Sequence, residues 1–254
     1  MLLTIDIGNT NITLGLYEGE KRLASWRIAT SHHEMPDEYG LKFLSLLQHA
    51  QFSASDITGI CMASVVPPLT SKIIEACQEY LQQDPLNVDA GTKTGVRILY
   101  EDPKAVGADR IVDCAAVQRL YGGPACVVDF GTGTTFDAIT AEGDYLGGAI
   151  APGIGIAAEA LFSRAAKLSR VDLVRPPSVI GRNTPHAMQS GLLFGYVGLV
   201  EGMVNRFREE LGPEMKVITT GGLSEIIARE TDILEIIAPW LTLDGLRIIW
   251  GLNQ

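Results

Sequence analysis

Asp6-Ile7-Gly8-Asn9-Thr10-Asn11 and Asp129-Phe130-Gly131-Thr132-Gly133-Thr134-Thr135 decide the fold. Each follows a short apolar run, Leu2 to Ile7 in one case and Ala125 to Asp129 in the other. Such runs read as buried strands, so each delivers an aspartate to a strand end. The glycine that follows lets the backbone turn sharply and approach a ligand. Short amide and hydroxyl side chains come next, and exposed backbone amides in such a turn form an anion nest. A single Asp-x-Gly turn reads equally well as an ordinary hairpin with an Asx-turn. Two in register change the reading, because two such turns facing one another can hold a polyphosphate from both sides.

Working outward, the same grammar surrounds both turns. Ile12 to Tyr17 is a second strand, Glu18-Gly19-Glu20 a turn and Leu23 to Ala29 a third strand, an antiparallel meander. In the second half Thr135 to Thr140, the turn Glu142-Gly143-Asp144 and Tyr145 to Ile150 repeat it. Helices are expected over Pro36 to Gln51, Leu69 to Leu81, Ala105 to Tyr121, from Gly153 to about Leu168, over Asn183 to Leu211 and over Leu223 to Glu230. Further strands are expected at Ile57 to Val66, Leu86 to Val88 and Lys216 to Thr219. The two aspartates lie 129 − 6 = 123 positions apart, about half of the 254 residues. A repeat of that period implies a duplicated domain, since a solenoid unit would be ~20–50 residues. The boundary is expected between Asn87 and Lys104, dividing the chain into residues 1–100 and 101–254. Strand meanders followed by helix–strand units imply an α/β protein with mixed sheets flanked by helices.

Composition narrows the function. Hydrophobic residues make up 46% of the chain and charged residues 20%, enough for a packed core. The formal net charge is -10, and the densest basic spots are pairs such as Lys21-Arg22. That argues against a nucleic-acid or anionic-membrane partner. The four cysteines, Cys61, Cys77, Cys114 and Cys126, form no CxxC pair and sit among apolar neighbours, which reads as buried free thiols in a reducing compartment. The N-terminal residues lack a basic leader, and no uninterrupted apolar run reaches the ~20 residues of a membrane span. A cytoplasmic location is expected. The four histidines show neither metal spacing nor a nucleophile partner.

Three further segments carry possible chemistry. Gly147-Gly148 through Pro152-Gly153-Ile154-Gly155 precedes a helix, whose N-terminal amides favour an anion. Thr219-Thr220-Gly221-Gly222 follows a strand and gives a flat backbone surface for a base or ribose. Gly107-Ala108-Asp109-Arg110 opens a helix: Asp109 reads either as a helix-start charge or as a carboxylate that accepts a hydroxyl proton. Arg110 reads as a surface cation or as a bidentate anion holder. There is no GxxxxGK[ST] loop, and Gly131-x-Gly133 lacks the third glycine of a dinucleotide fingerprint and enters a strand.

DIGNTN at 6–11, GADR at 107–110, DFGTGTTFD at 129–137, GGAIAPG at 147–153 and Asn183-Thr184 before the long helix occur in one order at mutually sensible spacings. Together this set resembles the acetate and sugar kinase, Hsp70 and actin superfamily, and within it the type III pantothenate kinases, from Asp6 to Gly222. The resemblance implies two duplicated ribonuclease H-like domains, each a mixed five-stranded sheet flanked by helices, with the active-site cleft between them. It implies phosphoryl transfer from ATP to pantothenate, with Asp109 as the catalytic carboxylate. It assigns Asp6, Gly8, Asn9, Thr10, Asn11, Thr13, Gly131, Thr132 and Gly133 to ATP and its phosphates. It assigns Tyr100, Gly107, Ala108, Arg110 and Thr184 to pantothenate. Asp6 would lie near Mg²⁺, through water, Asp129 would hold K⁺ or NH₄⁺, and the protein would be a homodimer. Three other readings stay open: a binding or regulatory protein on the same scaffold, an ATP-dependent kinase for another small hydroxy acid or sugar, and a filament-forming ATPase, for which the chain is short.

Overall fold

The computed structural model describes residues 1–89, 91–165 and 168–254. The chain divides into two units, Met1–Tyr121 with Leu241–Gln254, and Gly122–Trp240.

The first unit is built on a five-stranded sheet. Its strands are β1 (Leu2–Ile7), β2 (Asn11–Glu18), β3 (Lys21–Ala29), β4 (Gly59–Ser64) and β5 (Leu86–Asn87), in the order β3-β2-β1-β4-β5. β1 pairs antiparallel with β2 and parallel with β4. Leu3, Ile5 and Ile7 pack with Ile12, Leu14 and Leu16 against α1 (Pro36–His49) and α2 (Pro67–Leu81), through Phe43, Leu47, Leu69 and Ile73. Residues of β1 that face the other way are sequestered too: Thr4 is buried and its hydroxyl donates to Gly15 O at 3.2 Å.

That second face belongs to α3 (Ala108–Leu120) and α7 (Leu241–Leu252). A Cβ on Gly245 of α7 would collide with the Val112 backbone of α3, so the two helices cross in close contact only because that position carries no side chain. Tyr17, fully buried on β2, donates its hydroxyl to Asp244 Oδ1 of α7 at 2.8 Å. Burial and the Asp244 charge push the phenol well above its ordinary pKa, so it stays a donor. The expected division at residues 100 and 101 is therefore corrected: α3 and the C-terminal helix both belong with the first sheet, whose second face would otherwise lie bare. α7 was not anticipated from the sequence at all.

The second unit repeats the topology. β6 (Ala125–Phe130), β7 (Gly133–Ile139), β8 (Tyr145–Pro152), β9 (Lys216–Thr220) and β10 (Ile236–Ile237) are ordered β10-β9-β6-β7-β8. β6 is antiparallel to β7 and parallel to β9, so it occupies the place that β1 holds in the first sheet. Cys126, Val128 and Phe130 pack under α5 (Thr184–Leu211) with Phe136, Leu193, Tyr196, Val200 and Val204. By length and composition α5 could cross a membrane. In this unit its apolar residues cover the sheet. α4 (Ile154–Arg164) is shorter than the helix expected to reach Leu168, and Ala166 and Lys167 lie outside the described residues. α6 (Ser224–Ala228) closes the unit.

Tyr17→Phe should weaken the first unit by about 1–2 kcal/mol, because it removes a hydrogen bond to an α7 carboxylate on the face that α3 and α7 cover. Urea unfolding checks this, with the midpoint falling at unchanged slope.

Candidate functional site

In the first unit, Asp6 is the penultimate residue of β1 and pairs with Thr13 of β2. Gly8 N donates to Asn11 O at 3.0 Å, closing the turn, and Asn9, Thr10 and Asn11 are exposed. The turn is braced from just past β3: Thr30 N donates to Thr10 O at 2.9 Å and Thr30 Oγ1 to Gly8 O at 2.6 Å.

The start of α3 lies at the same end of this sheet. Val65 N, just past β4, donates to Ile7 O at 3.1 Å. A Cβ placed on Gly107 would lie 3.6 Å from Val65 Cγ1. That same Cβ would press on Asp109 Oδ1 at 2.5 Å, so the glycine leaves room for the carboxylate. Asp109 stands in the first turn of α3, and its Oδ1 accepts from Arg110 N at 2.8 Å. Burial pushes its carboxyl above the ordinary carboxylate pKa. The Arg110 amide and guanidinium pull the other way without cancelling the rise. Asp6, Gly8 to Thr13 and Gly107 to Arg110 thus converge in one unit. Tyr100 lies in the segment between β5 and the short 3-10 turn Pro103–Ala105, 40% exposed.

In the second unit, Asp129 is the penultimate residue of β6 and pairs with Thr135 of β7, as Asp6 pairs with Thr13. The turn Gly131-Thr132 is two residues long. Gly153, which precedes α4, donates its N–H to Thr132 O at 3.1 Å, so the helix start abuts the turn. The segment after β9 arrives from the other side. Gly221 has φ +91, a left-handed conformation, and any Cβ there would collide with Asp129 Oδ1 and the Phe130 backbone. The three glycine-bearing segments singled out in the second half therefore meet around one carboxylate.

Thr184 lies on α5 beside Asn183, whose side chain accepts from His186 N at 2.9 Å and caps the helix. It is exposed at the rim of a groove of about 860 Å³, walled by Ala157, Leu161, Met188 and Leu192. Tyr196 also lines the groove and donates its hydroxyl to Pro152 O at 2.7 Å, tying its wall to the start of α4. Among the described residues no cluster of three or more His, Cys, Asp or Glu could hold a metal by itself. Sequence reasoning missed Thr30 and Tyr196: one follows an unremarkable strand and the other belongs to a helix read as core.

The type III pantothenate kinase family matches residues 2–206. The chain is 53% identical over 254 residues to the type III pantothenate kinase of Roseiflexus sp. (strain RS-1), covering all of both chains. This protein belongs to the type III pantothenate kinase family. Solved structures extend the likeness at the level of fold. A Campylobacter jejuni protein described as a conserved Baf family transcriptional activator superposes with TM-score 0.65 at 20% identity, over 99% of this chain and 98% of that one. The ROK hexokinase of Thermus thermophilus does so with TM-score 0.52 at 14% identity, over 100% and 99%. Two mixed five-stranded sheets flanked by helices, shared with a sugar kinase, fit the ribonuclease H-like fold expected for both halves.

Asp109→Asn should fold, and at neutral pH it should be at least as stable as the parent. In the parent the folded carboxyl holds its proton to higher pH than the unfolded one, so the parent loses stability as pH rises above about 4. The asparagine carries no such penalty. Thermal melts against pH should show its advantage shrinking as pH falls from the raised folded pKa of Asp109 toward about 4, and gone below it.

Proposed function

We propose that this family member transfers the γ-phosphoryl group of ATP to the primary hydroxyl of pantothenate, giving 4'-phosphopantothenate at the first step of coenzyme A biosynthesis. The observation that carries the reading is the duplication of one device. In both sheets the central strand ends in an aspartate at its penultimate position, followed by a glycine turn whose amides can receive phosphate oxygens. Family membership over the whole chain selects pantothenate among possible acceptors.

Phosphoryl transfer proceeds through a loose transition state, so positioning and charge neutralisation carry the catalysis. Gly8, Asn9, Thr10, Asn11 and Thr13 offer the first turn's donors, and Gly131, Thr132 and Gly133 the second's. Asp6 suits Mg²⁺, which accepts one or two carboxylates and keeps several waters. A strand-end carboxylate beside an exposed turn fits that habit. Asp129, with turn carbonyls nearby, presents the all-oxygen donors that suit K⁺ or NH₄⁺. Such a cation would offset negative charge where phosphates and carboxylates crowd.

Asp109 orients the attacking hydroxyl and takes its proton. Its raised pKa brings it closer to the strength a general base needs near neutrality. Arg110 matches the acceptor's carboxylate through its planar fork. In this reading Tyr100, Gly107 and Ala108 of the first unit, and Thr184 of the second, are acceptor-binding residues. The exposed Val179 and Ile180, 66% and 80% accessible, lie in the segment leading to Asn183 and support a homodimer formed through the second unit. A cytoplasmic location accords with free, buried cysteines.

Across a panel of small hydroxy acids and sugars, ATP consumption should depend on pantothenate. Asp109→Asn should lower turnover by ~10²–10⁴-fold. A parental rate in the pure variant would remove the catalytic assignment. The parent's rate should fall on acidification through the raised pKa of Asp109. Turnover should also require K⁺ or NH₄⁺, and equal rates in sodium-only buffer would remove the role given to Asp129.

A further inference from the structure

The first phosphate turn has no regular hydrogen-bond ladder of its own between Ile7 and Asn11, yet two of its carbonyls are held. Thr30 Oγ1 donates to Gly8 O at 2.6 Å, and Thr30 N donates to Thr10 O at 2.9 Å. One residue thereby grips both ends of Gly8-Asn9-Thr10. Each grip has a consequence on the far side of the peptide. In a trans peptide the carbonyl oxygen and the next residue's N–H point in opposite directions. Neither of these two peptides is cis. Drawing Gly8 O and Thr10 O toward Thr30 therefore turns the Asn9 and Asn11 amides away from it.

Thr30 is itself a fixed post. Tyr39, fully buried on α1, accepts from Ser31 N at 3.2 Å and donates to Ser31 O at 2.8 Å. Lys72 of α2 donates to His32 O at 3.1 Å and to Glu34 O at 2.7 Å. The segment after β3 is thus pinned to both helices of that face, and the turn inherits its position from them.

We infer that Thr30 is a positioning residue for the ATP phosphates: its hydroxyl and amide preset the Gly8–Thr10 backbone so that the Asn9 and Asn11 amides face the nucleotide before it arrives. The inference deepens the kinase reading and rests on it. Thr30 does not touch the nucleotide. It removes the ordering cost of the turn from the binding step, the usual gain of preorganisation.

The test is a pair of variants assayed with Mg-ATP and pantothenate. Thr30→Val keeps the branched shape and the backbone N–H but loses the hydroxyl. It should raise KM for Mg-ATP roughly three- to tenfold and leave KM for pantothenate and the melting temperature near parental values. Thr30→Ser keeps the hydroxyl and should restore the parental KM for Mg-ATP. A Thr30→Val enzyme with parental KM for Mg-ATP overturns the inference while leaving the kinase reading intact.

A second measurement needs no variant and decides the matter if Thr30→Val fails to fold. A saturating non-hydrolysable ATP analogue with Mg²⁺ should slow hydrogen exchange at the Asn9 and Asn11 amides. If calorimetry shows the analogue bound while both amides exchange as in the free protein, the inference is overturned. A parent protein that neither binds the analogue nor consumes ATP refutes the kinase reading, and this inference with it.

Discussion

The constraint on which the structure depends is the burial of β1 and β6 on both faces. Leu3, Thr4, Ile5 and Ile7 in one strand, and Ala125 to Val128 in the other, have no solvent-facing side. A carboxylate cannot lie deep in such a strand without a large desolvation penalty. It can lie at the strand's end, where the backbone turns and water or a ligand reaches it. Asp6 and Asp129 occupy that position, each one residue from its strand's end and each half-buried. A central strand feeding a glycine turn is therefore both the way the core stays dry and the way an acid and a row of amides come to the rim.

Close packing around these ends is what separates a site from a hairpin. In the second unit, the left-handed Gly221 and the start of α4 at Gly153 crowd the Asp129 turn, and neither place leaves room for a side chain. In the first, Gly107 clears space for the Asp109 carboxylate, and Thr30 fixes the carbonyls of the Gly8–Thr10 turn. Burial raises the Asp109 pKa, and its immediate neighbour Arg110 limits the rise. The electrostatics are thus local: one helix start supplies the acid, the amide that bonds it and the cation that moderates it.

The duplication shows how much tolerance the device has. The turns differ in length, three residues from Gly8 to Thr10 against two at Gly131-Thr132, while the pairings Asp6 with Thr13 and Asp129 with Thr135 serve the same purpose. The coverings differ more. The first sheet takes α1 and α2 on one face and α3 and α7 on the other, whereas the long α5 dominates the packing of the second. α7 comes from the far end of the chain, which is why a boundary drawn by walking along the sequence fell too early and left α3 in the wrong half.

The sequence by itself determined every strand but the short β10, the two Asp-x-Gly turns, the helix starts at Gly107 and Asn183, and the family. Those signals are local: alternation, an acid followed by a glycine, and a capping residue beside a helix are written in neighbouring positions. Only the tertiary structure decided that Gly221 stands against Asp129, that α7 closes the face above Tyr17, and that Thr30 holds Gly8 and Thr10. Each of these joins residues about 20 to more than 200 positions apart. The choice among such partners is made by the space left once the sheets have packed, which no short stretch of sequence records.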